Sequence, residues 1–248
     1  MTRLLDTHCH LDSYEDPRRI LASAARADVD VIAVTDNPDA YRRLRTRLGP
    51  APGVTVALGL HPGSRAAAAP GQLGRFFRML PDARWVGEVG LDFPPGTGTA
   101  ERRRQRAAFD ALLSHDQIRS KLLTVHSRGA ARETVDALAG ATCRAVLHWY
   151  SGTAATADEA LAAGLWFSVN PAMVRSTRGR QLIAMIPPER ILCETDGPYC
   201  RNGPRPAEPA DVLVVTDALA VTWDTDLEGA RQTLTNNART FEAGQFPN

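Results

Sequence analysis

The sequence predicts an α/β protein with the architecture of a (β/α)8 TIM barrel. Eight short apolar runs rich in β-branched residues recur along the chain, and most of them precede a segment with helical periodicity. Each run ends in polar residues or glycine, as barrel strands do where their carboxyl ends carry a site. The eight runs are Leu4–His8, Val29–Thr35, Val54–Leu60, Trp85–Val89, Leu122–His126, Ala145–His148, Leu165–Val169 and Ile191–Thr195.

Helical segments between these runs indicate parallel βαβ units rather than hairpins. Eight such units either close into a barrel or lie open as a doubly wound sheet, and periodicity does not distinguish the two. No stretch has the composition of an interdomain linker, and the Ala66–Ala69 run is interpreted as a loop or helix start, so we predict one domain over residues 1–248. The predicted helices are Pro17–Ala27, Ala100–Ser114, Ala130–Ala139, Ala154–Ala163, Arg178–Ile186, Pro209–Val221 and Asp226–Phe241.

The composition is that of a globular protein, with 44% hydrophobic and 23% charged residues. No apolar run approaches the roughly 20 residues of a membrane-spanning helix. The first residues lack the basic and apolar regions of a secretory signal, so we expect a cytoplasmic protein without a membrane partner. The formal net charge of +1 argues against a protein that coats nucleic acid, so any such contact should be local. The four cysteines lie far apart and are interpreted as reduced thiols.

The first predicted strand ends in two histidines, His8 and His10. Because side chains of a strand alternate between its faces, both imidazoles point to the same side. Cys9 lies between them and points away, so we do not count it as a ligand. By itself this pair fits a structural role as well as it fits a metal site.

Four other strand ends carry residues that commonly bind metals. A carboxylate such as Glu88 is unfavourable to bury within an apolar strand unless it is paired or coordinates a cation. Five of the six histidines fall at strand ends, and only His115 lies in a helical stretch. This placement favours the barrel, because the carboxyl ends of its strands converge on one mouth. The predicted metal ligands are His8, His10, Glu88, His126, His148 and Asp196.

Six ligands exceed what one tetrahedral ion uses, and a shared carboxylate commonly bridges two ions about 3.5 to 4 Å apart. We therefore expect two divalent ions, Mg, Mn or Zn, with Glu88 as the bridge. Lys121, the only lysine, lies five residues before His126 and about 16 Å down the strand, too far for a carbamylated lysine to bridge instead. One ion is predicted to take His8, His10 and Asp196, and the other His126 and His148.

The ligand set predicts hydrolysis by water that the two ions activate. Glu88 and Asp196 are the predicted catalytic residues, with Asp196 as the proton acceptor. Arg128, two residues beyond His126, is predicted to hold a phosphate group, and a structural salt bridge is the equal alternative. His61 is interpreted as a substrate contact, and a structural hydrogen bond is its alternative.

Two further groups are open to two interpretations each. The arginines of Glu101–Arg106 form either a phosphate-facing patch or a solvated helix face. Trp149 and Tyr150 either stack on a base of the substrate or simply wall the pocket.

Six motifs stand at the strand ends, namely Asp6–Asp12, Gly59–Pro62, Gly87–Asp92, His126–Arg128, His148–Gly152 and Glu194–Tyr199. Together with Gln105 and Phe109 on the helix predicted after the fourth strand, these motifs resemble the TatD family of metal-dependent deoxyribonucleases over nearly the whole chain. The resemblance implies a barrel of the metal-dependent hydrolase type. It also implies divalent-metal-dependent cleavage of DNA, in single strands or from 3′ ends.

The segments Trp166–Met173 and Gly203–Pro209 resemble the TatD-like component (QatD) of Qat anti-phage defence systems, which implies protein partners from a defence operon. The chain departs from the commoner TatD pattern at Trp149, at Tyr150 and in the short, Pro- and Gly-rich segment Asp92–Thr99. These departures bear on substrate specificity. Two alternatives therefore stand beside a DNase: a hydrolase of some other ester or amide, and a defence-complex subunit with a mainly regulatory role.

Overall fold

The structure, a computed structural model, describes residues 3–244. Within these residues it has eight parallel strands and a short antiparallel hairpin after the eighth. The strands are β1 (Leu4–Cys9), β2 (Val29–Ala33), β3 (Val54–Val56), β4 (Trp85–Gly90), β5 (Leu122–His126), β6 (Arg144–Leu147), β7 (Trp166–Val169), β8 (Ile191–Cys193), β9 (Arg201–Asn202) and β10 (Arg205–Pro206).

Helices follow the parallel strands along the chain. They are α1 (Pro17–Arg26), α2 (Pro38–Leu48), α3 (Gln72–Met79), α4 (Thr99–Leu113), α5 (Ala131–Ala139), α6 (Ala154–Ala162), α7 (Pro171–Arg175), α8 (Thr177–Ile183), α9 (Val212–Thr222) and α10 (Leu227–Ala243). Local sequence sets their starts: at α1, the Asp16 carboxylate accepts hydrogen bonds from the backbone N–H groups of Arg18 and Arg19, and Pro17 occupies the first helical position. No helix between residues 3 and 244 combines the length and apolarity required to cross a membrane.

The chain divides into two compact units. Of the described residues, the first unit holds 3–33, 48–55 and 166–244, and the second holds 34–47 and 56–165. The single domain predicted from the sequence stays a prediction.

In the first unit the strand order is β2-β1-β8-β7, with every neighbour parallel. Leu4 pairs with Val29 at the start of β1, and Asp6 pairs with Cys193 of β8. The apolar side chains of these strands are buried almost completely, as with Leu4 at 1% exposure and Phe167 at 0%. This packing fixes the strand ends from which the polar side chains of the unit project.

In the second unit the strand order is β6-β5-β4, again parallel. Trp85 of β4 pairs with Leu122 of β5, which pairs in turn with Arg144 of β6. Leu58, just beyond β3, forms a parallel bridge with Val86. The carboxyl ends of β4, β5 and β6 therefore lie side by side at one edge, where their polar residues meet.

Predicted strands were correctly located but several are shorter than expected. The run Val54–Leu60 is a regular strand only as far as Val56. Beyond it, the Thr35 hydroxyl donates to the Ala57 carbonyl at 2.8 Å and accepts from the Gly59 N–H at 3.1 Å. A side chain thus replaces a backbone partner, so the regular ladder ends early although the segment stays buried.

Three helices were absent from the sequence-based prediction. These are α2, α3 and the five-residue α7. Asparagine followed by proline caps two of them, with Asn37 at the start of α2 and Asn170 at the start of α7. The Ala66–Ala69 run forms turns that lead into α3, so it is a loop next to a helix start. Arginine-rich α2 lacks the dense apolar stripe that marks the other helices in the sequence, since Tyr41 and Leu44 supply most of its buried surface.

Replacing Asn237 with alanine is expected to lower the free energy of unfolding by roughly 2 kcal/mol. The Asn237 side chain on α10 donates to the carbonyl oxygens of Pro188, in the turn before β8, and of Ile191, at its start, both at 2.7 Å, so its loss leaves two carbonyls without this donor. Urea unfolding measures the effect. The control is Asn236→Ala, because Asn236 is exposed on the same helix and its side chain accepts a hydrogen bond from Gln232 of that helix. Equal losses for the two variants would contradict the expectation.

Candidate metal centre

The first unit brings together His8, His10 and Asp196. The Oδ1 atom of Asp196 lies 3.7 Å from Nε2 of His8 and 3.4 Å from Nε2 of His10. The two imidazole centroids are 5.3 Å apart, and all three residues are buried. The prediction that His8 and His10 point to the same side is therefore confirmed.

Asp196 follows the end of β8 in an uncommon backbone conformation, with φ of 48°. The left-handed region costs most residues about 1–2 kcal/mol, although aspartate and asparagine tolerate it better than others. The Asp196 N–H donates to the His8 carbonyl at 2.8 Å, and its own carbonyl accepts from the Cys200 N–H at 2.9 Å. These two bonds hold the carboxylate beside the histidine pair.

Asp6 is fully buried and ties the ends of β1 and β8 together. Its Oδ1 accepts from the backbone N–H groups of His8 at 3.1 Å and Thr195 at 2.9 Å, and its Oδ2 accepts from the Thr195 hydroxyl at 2.5 Å. Burial raises the pKa of Asp6 well above its ordinary value, against the lowering effect of these hydrogen bonds. Asp6 thus fixes the backbone on either side of the ligand-type residues.

A second buried carboxylate, Glu194, is held from β7. The Ser168 hydroxyl donates to it at 2.5 Å, and the Asn170 side-chain amide donates at 3.0 Å. Asn170 also caps α7, because its Oδ1 accepts from the N–H groups of Ala172 and Met173. The segment Trp166–Met173 therefore holds Glu194 in place, two residues before Asp196.

The second unit gathers Glu88, His126 and His148 from the ends of β4, β5 and β6. The Oε1 atom of Glu88 lies 2.5 Å from Nδ1 of His126 and 2.9 Å from Nε2 of His148. The same two ring nitrogens are 3.2 Å apart. Glu88 is 1% exposed, so this buried carboxylate has the partners that its burial requires.

His61 joins this set from the segment after β3. Its Nε2 lies 3.5 Å from Oε1 of Glu88, while its Nδ1 accepts from the Gly63 N–H at 3.0 Å. One ligand atom each from His61, Glu88 and His126 lie within 4.8 Å of one another. The bond from Gly63 leaves Nε2 of His61 as the nitrogen that faces the carboxylate.

Asp92 lies in the motif Gly87–Asp92 and is a site residue for which the sequence predicted no role. Its Oδ1 lies 3.1 Å from Nε2 of His126. The Gln105 side-chain oxygen accepts from the Asp92 N–H at 2.8 Å, which anchors the segment after β4 to α4. The available signal was the pair of carboxylates, Glu88 and Asp92, four residues apart across the end of one strand.

Charges within this set shift two pKa values in opposite directions. Burial alone would lower the pKa of His126, but the charge of Glu88 and the hydrogen bonds to Asp92 and Glu88 outweigh it, so the pKa is raised. Burial alone would raise the pKa of Asp92, but the hydrogen bond and charge of His126, followed by the charge of Arg128, lower it. Arg128 is exposed, and its charge helps to stabilise the ionised form of Asp92.

Close backbone packing brings these strand ends together. Gly90 has φ of 130°, in a region that L side chains rarely adopt. A Cβ atom at this position would overlap the carbonyl oxygen of His126. Glycine therefore allows β4 to approach β5 two residues beyond Glu88.

The chemistry of the donors fits divalent metal ions. Each unit offers imidazole nitrogens beside a carboxylate oxygen at the buried ends of parallel strands, and mixed His and carboxylate sets are typical of zinc, manganese and sometimes magnesium sites. Lys121 precedes β5 and donates to the Pro81 carbonyl at 3.3 Å, which agrees with its exclusion as a bridging ligand. Cys9 is buried, and burial raises the pKa of its thiol well above the ordinary value, so it does not add a ready thiolate.

The remaining sequence candidates have partners of their own. Tyr150 is 2% exposed and donates to the Thr153 carbonyl at 3.0 Å, which agrees with a pocket wall and leaves no free face for a base. In the arginine run, Arg104 pairs with Glu101 and donates to the Pro62 carbonyl at 2.8 Å. Two other guanidinium groups of the run lie over one aromatic ring: those of Arg102 and Arg106, over Phe93.

Comparisons with known proteins identify the family and the fold of this chain. The model of a protein family described as TatD related DNase matches residues 5–242. A TatD protein of Mycobacterium tuberculosis, called a metal-dependent hydrolase, is 30% identical over 95% of this chain and 96% of its own length. Human deoxyribonuclease TATDN3 is 29% identical over 95% of this chain and 93% of its own length.

The crystal structure of YjjV, a TatD homologue from Escherichia coli K12, superposes with a TM-score of 0.85 and 26% identity over 99% of both chains. The predicted fold class, a (β/α)8 TIM barrel of the metal-dependent hydrolase type, is confirmed. Because the family model matches residues 5–242, nearly the whole chain, this chain belongs to the TatD DNase family and is a metal-dependent hydrolase.

Proposed function

We propose that this hydrolase is a phosphodiesterase that cleaves DNA, in single strands or from 3′ ends, with two bound divalent cations. The observation that carries the proposal is the buried Glu88 carboxylate, whose Oε1 lies 2.5 Å from His126 and 2.9 Å from His148. Two imidazoles that converge on one carboxylate oxygen form the core of a cation site. Membership of a family named for DNases supports the phosphodiester substrate.

The ligands of this proposal are those predicted from the sequence. Glu88 would contribute to holding both ions, and the residues that each unit brings together support this division. Loading experiments with Mg, Mn and Zn identify which of these metals the chain binds. His8, His10 and Asp196 would hold one ion, and His126 and His148 would hold the other.

Bound cations would supply Lewis acidity and lower the pKa of water toward neutrality. Asp196 accepts the proton of the attacking water, since its carboxylate is held in place by backbone bonds and lies beside His8 and His10. Arg128 holds a non-bridging phosphate oxygen; it is exposed, and it also stabilises the charge of Asp92. His61 contacts the substrate through Nε2, the ring nitrogen on the side of Glu88.

Removal of metal is expected to abolish cleavage of labelled single-stranded DNA, because every proposed step requires the cations. The purified chain is treated with a chelator, dialysed and assayed with and without added magnesium, manganese or zinc. Activity should return with at least one ion, and bound metal should approach two per chain. Cleavage that persists in the chelator-treated protein would rule out the mechanism.

A panel of substrates separates the proposal from its enzymatic alternative, a hydrolase of some other ester or amide. Hydrolysis of DNA and of a simple phosphodiester is expected, with little activity on lactones, carboxyl esters or amides. Activity on amides alone would contradict the phosphodiesterase assignment.

We further propose that the chain acts in the cytoplasm as the TatD-like component of a Qat anti-phage defence system, with operon-encoded proteins as partners. The support is the sequence of Trp166–Met173, whose Ser168 and Asn170 hold Glu194. Co-purification with operon neighbours and loss of phage protection in a Glu88 variant are expected. Protection by a catalytically inactive chain would favour the alternative, a mainly regulatory subunit.

A further inference from the structure

Helices α2 and α3 in the second unit present a cluster of arginines around a single carboxylate. The cluster surrounds a cavity of about 310 Å³ lined by Asp39, Arg42, Arg75, Arg78 and Met79. We call these four charged residues, together with Arg45 on α2, the α2–α3 basic face.

The carboxylate compensates only part of the positive charge. The Asp39 Oδ2 accepts from Arg75 at 2.8 Å and from the Gln72 side chain at 2.7 Å, while its Oδ1 lies 3.7 Å from Arg42. The bond from Gln72 and the charges of Arg75 and Arg42 lower the pKa of Asp39 against the effect of burial, so it is ionised at neutral pH. Three cavity arginines against one aspartate leave a formal charge of +2.

The spacing of the arginines concentrates this charge. Arg42 and Arg45 stand three residues apart on α2, as Arg75 and Arg78 do on α3, and like charges at this spacing on a helix repel each other. Arg45 is directed to Tyr41, whose hydroxyl accepts its hydrogen bond at 3.1 Å. Within residues 3–244, Arg78 has no ion pair. An anionic ligand would offset this repulsion.

The face begins at the same end of the unit as the ligand set. The N–H of His61 donates to the Asp36 carbonyl at 2.8 Å, directly before the Asn37 cap of α2. Gln72, the first residue of α3, donates to Asp39 in the first turn of α2. The arginines follow one and two turns further along both helices, so the face extends away from the segment that positions His61.

We propose that the α2–α3 basic face binds backbone phosphates of a single-stranded nucleic acid, at positions on the strand remote from the bond that is cleaved. The proposal rests on the proposed function, since the strand is the substrate of the DNase. Guanidinium groups form two-pronged hydrogen bonds with phosphates, and a local face suits a chain whose formal net charge is only +1.

A membrane surface is the less suitable partner. Binding to lipid through a basic helix face usually requires large apolar side chains on the same helix to enter the bilayer interface. Among residues 3–244 the exposed large apolar side chains are Met185, Tyr199, Val221 and Leu227, and none of them belongs to α2 or α3.

The test measures the affinity for a labelled single-stranded oligonucleotide against salt concentration, with a chelator present so that no cleavage occurs. Each phosphate contact contributes about 0.7 to the slope of log affinity against log salt for single strands. Replacing Arg42, Arg75 and Arg78 together with glutamine should therefore reduce the slope by about 2 and weaken binding roughly tenfold at low salt. The single variant Arg78→Gln, which leaves the Asp39 pairs intact, should reduce the slope by about 0.7.

Two matched variants control for charge and for folding. Lysine at the same three positions keeps the charge and should keep most of the slope. Three scattered, exposed arginines replaced by glutamine remove the same charge and should leave the slope within about 0.5 of the parent. The scattered positions are Arg26, Arg119 and Arg239.

Several outcomes would overturn the inference. An unchanged slope for Arg78→Gln, or equal reductions for the clustered and scattered triple variants, would show that the face does not contact the strand. Weakened binding to anionic lipid vesicles with unaltered DNA binding would assign the face to a membrane instead. Hydrolysis of bis(4-nitrophenyl) phosphate should be unaltered by the triple variant, so a chain inactive on all phosphodiesters contradicts the proposed function and not the binding result.

Discussion

Replacing Glu88 with glutamine is expected to remove the cation bound by its ligand set and to lower DNA hydrolysis by roughly 10³-fold. Oε1 of Glu88 lies 2.5 Å from Nδ1 of His126 and 2.9 Å from Nε2 of His148, and Glu88 is 1% exposed. A neutral amide keeps the shape of the side chain but lacks the negative charge that holds a divalent cation. Metal content by elemental analysis and turnover of labelled DNA measure the two effects on the same preparation.

The matched control is Glu133→Gln on α5, which removes one exposed ion pair with Arg106 in the same unit. It should change neither metal content nor turnover, because a surface ion pair contributes about 1 kcal/mol or less. Circular dichroism should be the same for both variants and the parent. A Glu88 variant that keeps more than about a tenth of the parental turnover would contradict the role given to this residue.

Replacing Asp6 with alanine is expected to destabilise the fold by roughly 3 kcal/mol and to weaken metal binding by about 10- to 100-fold. Asp6 touches no substrate in the proposed mechanism and acts as a positioning residue. Its carboxylate joins the backbone of His8 to both the backbone and hydroxyl of Thr195, so its removal leaves three buried donors without this partner. Chemical denaturation of the metal-free protein and metal titration of the folded protein separate the two effects.

Asp30→Ala provides the comparison for Asp6, because Asp30 stands on the neighbouring strand and pairs with exposed Arg3. That change should lower the free energy of unfolding by less than about 1 kcal/mol and leave metal affinity unaltered. Asp6→Asn keeps an acceptor oxygen and should recover part of the stability and of the affinity. Identical behaviour of the Asp6 and Asp30 variants would show that the buried network does not position the histidines.

Much of the fold was readable from local sequence because the parallel strands are almost entirely buried. A strand covered on both sides is a short apolar run bounded by polar residues, and β5 was predicted with the bounds that the structure gives it, Leu122–His126. Errors are concentrated where side chains replace backbone partners. Thr35 bonds to the segment that follows β3, and Asp6 bonds to Thr195 after β8. Both strands end earlier than the apolar runs that predicted them.

The residue types of the candidate centre were also determined by the sequence. His8 and His10 share a face because strand side chains alternate, and this consequence of backbone geometry needs no tertiary information. The contact of Asp92 with His126 was not predictable in the same way. It depends on the path of the chain after β4, which Gln105 of α4 fixes through a hydrogen bond to the Asp92 N–H.

By itself the sequence therefore determined the order of the eight parallel strands, seven of the helices, the TatD motifs and the residues available to hold a metal, because each follows from local sequence. Only the tertiary structure decided that His126 and His148 meet on one oxygen of Glu88, and that arginines of α2 and α3 surround Asp39. Such contacts join residues far apart in the chain. Their distances are set by the packing of whole strands and helices against each other, which no local pattern of residues encodes.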